Sequence, residues 1–272
     1  MNIRICLTIA TAILFLAASS PTHAMMKEGC GSGECTECHS LTREEAADLL
    51  AGSVDNVLSV KPSAVGGLWA VDVVKEGRKW PVYIDFSKNY LISGQVIRMS
   101  SKENVTESRS MRLNTVDVSS IPIDDAIVIG NPEAKRRIIE FSDPDCGFCA
   151  KLHAEARKIV AKNPDVAFFV MLYSRRNDPT TIQKILSIVC GKQDAPKLLD
   201  DAFAGKPLPQ PGPTCDFAAV QETAKLAGKL GIRGTPVMIL PDGRVVNGYR
   251  DAETILTLLS EGKPAAEIKT KK

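Results

Sequence analysis

The chain has 272 residues, of which 44% are apolar and 24% charged, so it can bury an ordinary core without metals or cross-links. Its formal charge of +2 comes from 34 basic and 32 acidic side chains that interleave along the chain, which excludes nucleic acid or an anionic membrane surface as the expected partner.

In chain order, residues 1–24 read as an export signal. Arg4 supplies a positive start, Ile5 to Ala18 an apolar run, and Thr22-His23-Ala24 a small-residue cleavage site. The apolar run is shorter than the roughly 20 residues of a spanning helix, so cleavage after Ala24 and a soluble mature protein are expected. Residues 25–40 are rich in cysteine: Cys30, Cys35 and Cys38. Cys35-Thr36-Glu37-Cys38-His39 has the spacing of a covalent c-type haem site, two thioether cysteines and an axial histidine. A disulfide, a zinc site drawing on Cys30 and His39, or a clasp between two copies fits the same residues. Cys6 leaves with the signal, so seven of eight cysteines remain, and the odd number requires one that is free, intermolecular or a ligand.

Residues 41–99 read as a small α+β module. Helix formers run from Arg43 to Ala51, Leu49 and Leu50 close an apolar face, and Thr42 with Glu45 matches a capping box. Four β-rich runs follow, Val57 to Val60, Leu68 to Lys75, Lys79 to Ile84 and Tyr90 to Met99. Turns at Glu76-Gly77 and Ser87-Lys88-Asn89 make them an antiparallel sheet. Residues 100–121 are polar and read as a connection between two cores, partly helical where Val105 shares a face with Arg109 or Met111.

Residues 122–272 alternate strand and helix. A strand spans Ile138 to Phe141, a helix Cys146 to Lys162 and a second strand Val166 to Tyr173. A helical stretch from Thr180 to Leu230, broken at Lys206 to Thr214, precedes strands Val237 to Leu240 and Val245 to Tyr249 and a closing helix Ala252 to Ser260. The β-α-β, helical insertion, β-β-α order is that of the thioredoxin arrangement, an α/β sheet with parallel and antiparallel pairings.

Cys146-Gly147-Phe148-Cys149 sits where a strand gives way to a helix. There the unsatisfied N–H groups and the positive end of the helix dipole favour a thiolate on Cys146. One turn later Cys149 can close a small disulfide ring, so Cys146 reads as the attacking sulfur and Cys149 as the resolving one. A structural disulfide or half of a zinc site shares the spacing; zinc would need further Cys or His in this domain. Gly234-Thr235-Pro236 precedes a strand, which suits a cis proline facing the cysteines, with the Thr235 backbone free to pair with an extended substrate. Glu140 lies six positions before Cys146 on an apolar strand. It is either a buried acid that exchanges a proton with Cys149 or a solvated strand-end carboxylate. His153 reads as a partly exposed packing residue rather than a base.

These residues resemble the periplasmic protein-disulfide isomerases of the DsbC and DsbG type. The matching stretches are Phe141-Ser142-Asp143, Cys146 to Cys149, Lys151-Leu152-His153, Ala204-Gly205-Lys206, Gly231 to Pro236, and Asp242-Gly243 with Gly248-Tyr249. The resemblance is strong from about Ala126 onward and weak before it. It implies a cystatin-like dimerisation domain over 41–99, a linker, and a catalytic thioredoxin-like domain. It also implies a homodimer whose apolar cleft holds misfolded disulfide-containing proteins in the periplasm, kept reduced by a membrane reductase of the DsbD type, with no cofactor required. Cys190 and Cys215 fall where the family carries a structural disulfide, worth about 3 kcal/mol in the chain-entropy account. Three other functions fit the same chain: a dithiol oxidase or sulfenic-acid reductase with the same sulfur pair, a holding chaperone, or a haem-bearing electron carrier at Cys35, Cys38 and His39.

Overall fold

The computed structural model describes residues 39–212, 215 and 217–262. The export signal and Cys30, Cys35 and Cys38 lie outside them. No helix among the described residues is long and apolar enough to cross a membrane.

The first unit opens with helix α1 (Arg43–Leu49), held by the capping box: the Glu45 amide donates to Thr42 Oγ1 at 3.1 Å and the Thr42 amide to Glu45 Oε2 at 3.4 Å. Strands β1 (Asn56–Pro62), β2 (Leu68–Lys75), β3 (Arg78–Asp85) and β4 (Leu91–Ile92) follow, in one antiparallel sheet ordered β1-β2-β3-β4. Glu76 and Gly77, with φ of 50° and 72°, make the tight turn between β2 and β3. Side chains alternate along β2, so Trp69, Val71 and Val73 pack with Ala46 and Leu50. Leu50, not Leu49, carries the apolar face, since Leu49 is half exposed.

The opposite face of β2 carries Asp72, which is buried. It meets helix α2 (Val105–Leu113), where Arg109 grips both its oxygens at 2.5 and 2.9 Å, while Ser59 Oγ donates to it at 2.6 Å. A buried carboxylate stripped of its cation carries a large desolvation penalty. Arg109→Ala is therefore expected to cost about 2 kcal/mol in urea unfolding, less than a fully buried pair because the arginine keeps some contact with water. Asp72→Asn with Arg109→Ala should cost less than the sum of the single changes.

One expectation is corrected in this unit. The run Tyr90 to Met99 is not one strand: only Leu91 and Ile92 pair with β3, and Ile97 bridges to Asn104. Ser93-Gly94 interrupts the ladder, and Tyr90 and Met99 stay exposed, so no packing rewards extension. Within the polar stretch 100–121 the helix expected around Val105 to Met111 is present as α2. Asn104 caps α2 by accepting from the Glu107 amide, Tyr83 Oη meets Thr106 Oγ1 at 2.6 Å, and Met111 is buried in the core of the second unit. Glu107 of α2 also pairs with Arg250.

The second unit has strands β5 (Ile127–Gly130), β6 (Arg136–Ser142), β7 (Val166–Leu172), β8 (Val237–Ile239) and β9 (Val245–Asn247), in the order β5-β7-β6-β8-β9. Only β6 and β7 are parallel, and helix α3 (Gly147–Lys162) is the crossover that parallel pairing demands. The insertion is α4 (Pro179–Val189), α5 (Ala195–Phe203) and α6 (Ala218–Lys229), and α7 (Ala252–Glu261) closes the fold. Strand β5 was not anticipated from sequence; its β-branched residues 127–129 gain a partner only because β7 leaves an edge open. Ile138 packs with Leu152, Ala156 and Ile159 of α3, while Ile139 and Phe141 turn to the other face against Tyr173 and Ala227. The β8–β9 turn meets the segment after α2, where the Val116 amide donates to Gly243 O at 2.9 Å. A Cβ on Gly243, whose φ is +84°, would lie 2.2 Å from Val116 O, so glycine is required there.

Candidate active site

The site forms at the end of β6. Asp143 Oδ1 accepts from the Asp145 amide at 2.9 Å and its carbonyl accepts from the Cys146 amide at 3.0 Å, which folds the chain sharply into α3. Cys146 is the N-cap of that helix, in extended conformation. Its own carbonyl takes the first helical bonds, from the Cys149 and Ala150 amides. Partial burial opposes ionisation of Cys146. Hydrogen bonds from the Cys149 thiol, from Thr235 and from the Cys149 and Phe148 amides outweigh it and hold the thiol below the usual cysteine range. Cys149 is fully buried. Burial, then the neighbouring Cys146, push its thiol up to about 12, against weaker help from Ser142, the Asp143 amide and Thr235. The two sulfurs, one turn apart, thus differ widely in acidity.

Opposite the cysteines, the Thr235–Pro236 peptide bond is cis. Cys146 Sγ lies 3.5 Å from the Thr235 carbonyl oxygen. Tyr173 Oη donates to the Gly234 carbonyl at 3.4 Å, and the Gly248 amide donates to Pro236 O at 2.8 Å, so the loop is held from both sides. Phe148 stands 60% exposed beside Cys146, an apolar surface at the mouth of the site.

Glu140 and Ser142 share the face of β6 that looks toward α3, two residues apart in the pleat. Glu140 is 1% exposed, and neither of its oxygens nor the Ser142 hydroxyl makes a well-formed hydrogen bond among the described residues. Burial pushes the Glu140 carboxyl up to about 7, and the nearby Ser142 hydroxyl offsets this only in part. Of the two sequence readings, a solvated strand end is thereby excluded. Ser142, which acts on both Glu140 and Cys149, was not singled out from sequence; its place two residues after Glu140 on the same strand was the available signal.

His153 is 5% exposed, correcting the expectation of a partly exposed residue. Its Nε2 lies 2.6 Å from Asp200 Oδ1 on α5, its ring tilts against Phe203, and Arg157 bonds the same carboxylate at 2.5 and 3.0 Å. The cluster pins α5 against α3. Burial holds the imidazole below its usual range, Asp200 opposing, which suits a packing role. Cys190, at the C-terminal end of α4, is disulfide-bonded to Cys215 with Cα atoms 5.7 Å apart. His39 stacks on Phe86 with centroids 4.9 Å apart, and Phe86 on Trp69 at 5.0 Å. Cys35 and Cys38 are outside the described residues, so the haem and zinc readings gain no geometry. Among the described residues no cluster of three or more Cys, His, Asp or Glu side chains is placed to hold a metal ion.

A sulfur at a strand-to-helix junction, a buried second sulfur and an opposed cis proline on a mixed five-stranded sheet define a protein of the thioredoxin-fold class. Comparison with known proteins carries this further. Residues 123–263 match the model of the thioredoxin-like domain, and residues 46–107 match that of the disulfide bond isomerase protein N-terminal domain. The chain belongs to the thioredoxin-like family, in its DsbC-like branch with that N-terminal domain. It is 31% identical over 161 residues to the probable thiol:disulfide interchange protein DsbC of Bordetella avium, covering 59% of this chain and 55% of that one. The chain thus spans about half the length of that relative. It is 26% identical over 202 residues to the thiol:disulfide interchange protein DsbC of Escherichia coli K12, covering 74% and 80%. A solved disulfide interchange protein from Neisseria gonorrhoeae superposes with a TM-score of 0.45 at 29% identity, covering 52% of this chain and 98% of that one.

Proposed function

We propose that the protein is a thiol:disulfide interchange enzyme that reshuffles wrong disulfides in exported proteins. The observation that carries this reading is the split in acidity between the two sulfurs: Cys146 is held below the usual thiol range at a helix N-terminus, and Cys149 is driven far above it beneath the surface. The Cys146 thiolate attacks one sulfur of a client disulfide; the client S–S bond breaks, a Cys146–client disulfide forms, and the other client sulfur leaves as thiolate. A different client thiolate then attacks the adduct, a new client disulfide forms, and Cys146 is returned as thiolate with no net change in oxidation.

When no client thiol arrives, Cys149 loses its proton and attacks Cys146. The client leaves reduced and a Cys146–Cys149 disulfide remains. Glu140, buried and titrating near neutrality, accepts the Cys149 proton, with the Ser142 hydroxyl, which acts on the acidity of both groups, as the connecting donor and acceptor. Restoring the dithiol then requires an external dithiol reductant, the part assigned to a membrane reductase of the DsbD type. The Thr235 carbonyl beside Cys146 is placed to receive an amide of an extended client.

The division into a signal (1–24), a Cys-rich segment (25–40), a dimerisation module (41–99), a linker (100–121) and a catalytic domain (122–272) belongs to this reading. So do a periplasmic location and a homodimer. Support for the dimer comes from the edge strand β4, which leaves Leu91 and Ile92 half exposed beside Tyr90. The test is rearrangement of a scrambled multi-disulfide substrate by the full chain in a glutathione buffer, with the oligomeric state measured alongside. Recovery of native substrate by a dimer is expected. A monomer that only oxidises dithiols would replace this reading with the oxidase one.

A further inference from the structure

Asp145 immediately precedes the reactive cysteine, where a carboxylate opposes the thiolate that the helix N-terminus favours. Its side chain is turned instead to α4. Thr181 Oγ1 donates to Asp145 Oδ2 at 2.6 Å, and the Lys184 ammonium bonds Oδ1. Thr181 is itself buried in the first turn of α4, its amide donating to the capping carboxylate of Asp178 at 3.0 Å. The anchor is therefore a fixed helix end, and Lys184 lies one helical turn further along α4.

Of the other charged and titratable groups around Cys146, Asp143 accepts from the Asp145 and Arg175 amides, Lys151 lies over the Phe148 ring at 5.3 Å, Tyr173 donates to the Gly234 carbonyl, Glu140 is buried, and Cys149 is a hydrogen-bond donor to the sulfur. Lys184 is the cation placed on the one carboxylate adjacent to the nucleophile.

The geometry points to Lys184 and Thr181 as positioning residues for thiol–disulfide exchange: they hold the Asp145 carboxylate on α4, with its charge countered, away from the Cys146 sulfur. The helical insertion would then have a part in the chemistry, keeping the nucleophile ionised without touching it. This inference rests on Cys146 being the attacking sulfur.

The test is the pH dependence of iodoacetamide alkylation of Cys146 in the reduced full chain, for wild type, Lys184→Gln, Lys184→Arg, Asp145→Asn and the Asp145→Asn/Lys184→Gln pair. Lys184→Gln should move the alkylation midpoint up by about half a unit, a roughly threefold loss of thiolate below the midpoint, the size Coulomb's law allows for a partly solvated neighbouring charge. Lys184→Arg should behave as wild type. With Asp145→Asn in place, Lys184→Gln should move the midpoint by distinctly less, since only the loss of the lysine's own charge remains. An unmoved midpoint in Lys184→Gln, or an equal shift with and without the Asp145 carboxylate, would overturn the inference while leaving Cys146 as nucleophile. A wild-type midpoint in the ordinary thiol range would sink both.

Discussion

Cys146→Ser is expected to reduce rearrangement of a scrambled disulfide substrate by on the order of 1,000-fold or more, with the melting transition little changed. The serine hydroxyl is not ionised near neutrality, and among the described residues no other sulfur stands at the helix N-terminus beside the Thr235 carbonyl, since Cys149 is buried and its thiol is pushed up to about 12. Cys149→Ser should behave differently. Attack by Cys146 survives, client thiols still resolve part of the adduct, and the rest accumulates as mixed disulfide visible on a non-reducing gel. Rearrangement by Cys146→Ser at the wild-type rate would refute the assignment of the nucleophile.

Glu140→Gln is expected to stabilise the fold in a pH-dependent way. The Glu140 carboxyl is raised by burial from 4.5 to about 7 in the folded protein, so the folded state holds this proton more tightly than the unfolded chain does. Wild-type stability from this group is therefore fully present below pH 4.5 and is lost as the pH rises to about 7, where the buried carboxylate must carry charge. The loss amounts to about 3 kcal/mol, from the difference between the two values. Glutamine carries no charge, so the two proteins should unfold alike near pH 4, and the variant should be the more stable by about that amount at pH 8. Equal urea midpoints at pH 8 would place the carboxylate in water and remove it from the relay. In function the variant should slow net reduction of client disulfides, which needs the Cys149 proton removed, by about 100-fold. Exchange resolved by client thiols should change little. A persistent, costly buried acid beneath the sulfurs is the kind of local instability that active sites retain for their chemistry.

Much of the fold was legible in the chain because period and punctuation agree there. The capping residues Thr42 and Glu45, the Glu76-Gly77 turn and the strand–helix–strand order around Cys146 are local signals, and each forms where residue type alone places it. Two elements were not legible, and the helix expected around Val105 to Met111 was only partly so. Strand β5 depends on an open edge of β7, the end of the Tyr90 to Met99 run depends on the absence of anything to pack against, and α2 owes its anchoring to Asp72 and Tyr83 of a distant sheet.

The same division runs through the site. The amino-acid sequence by itself pointed to Cys146 and Cys149 as the candidate exchanging pair and to a helix beginning at one of them, because a Cys-x-x-Cys spacing and a helix start are both contained within a few residues. It left Glu140 undecided between two environments, offered only strand spacing as a pointer to Ser142, and gave no reason to look at Thr181 or Lys184. Those were settled by tertiary structure alone. Burial, desolvation and the meeting of β6, α4 and the Thr235 loop are properties of segments far apart in the chain, and the acidity of a group is set by what surrounds it in space.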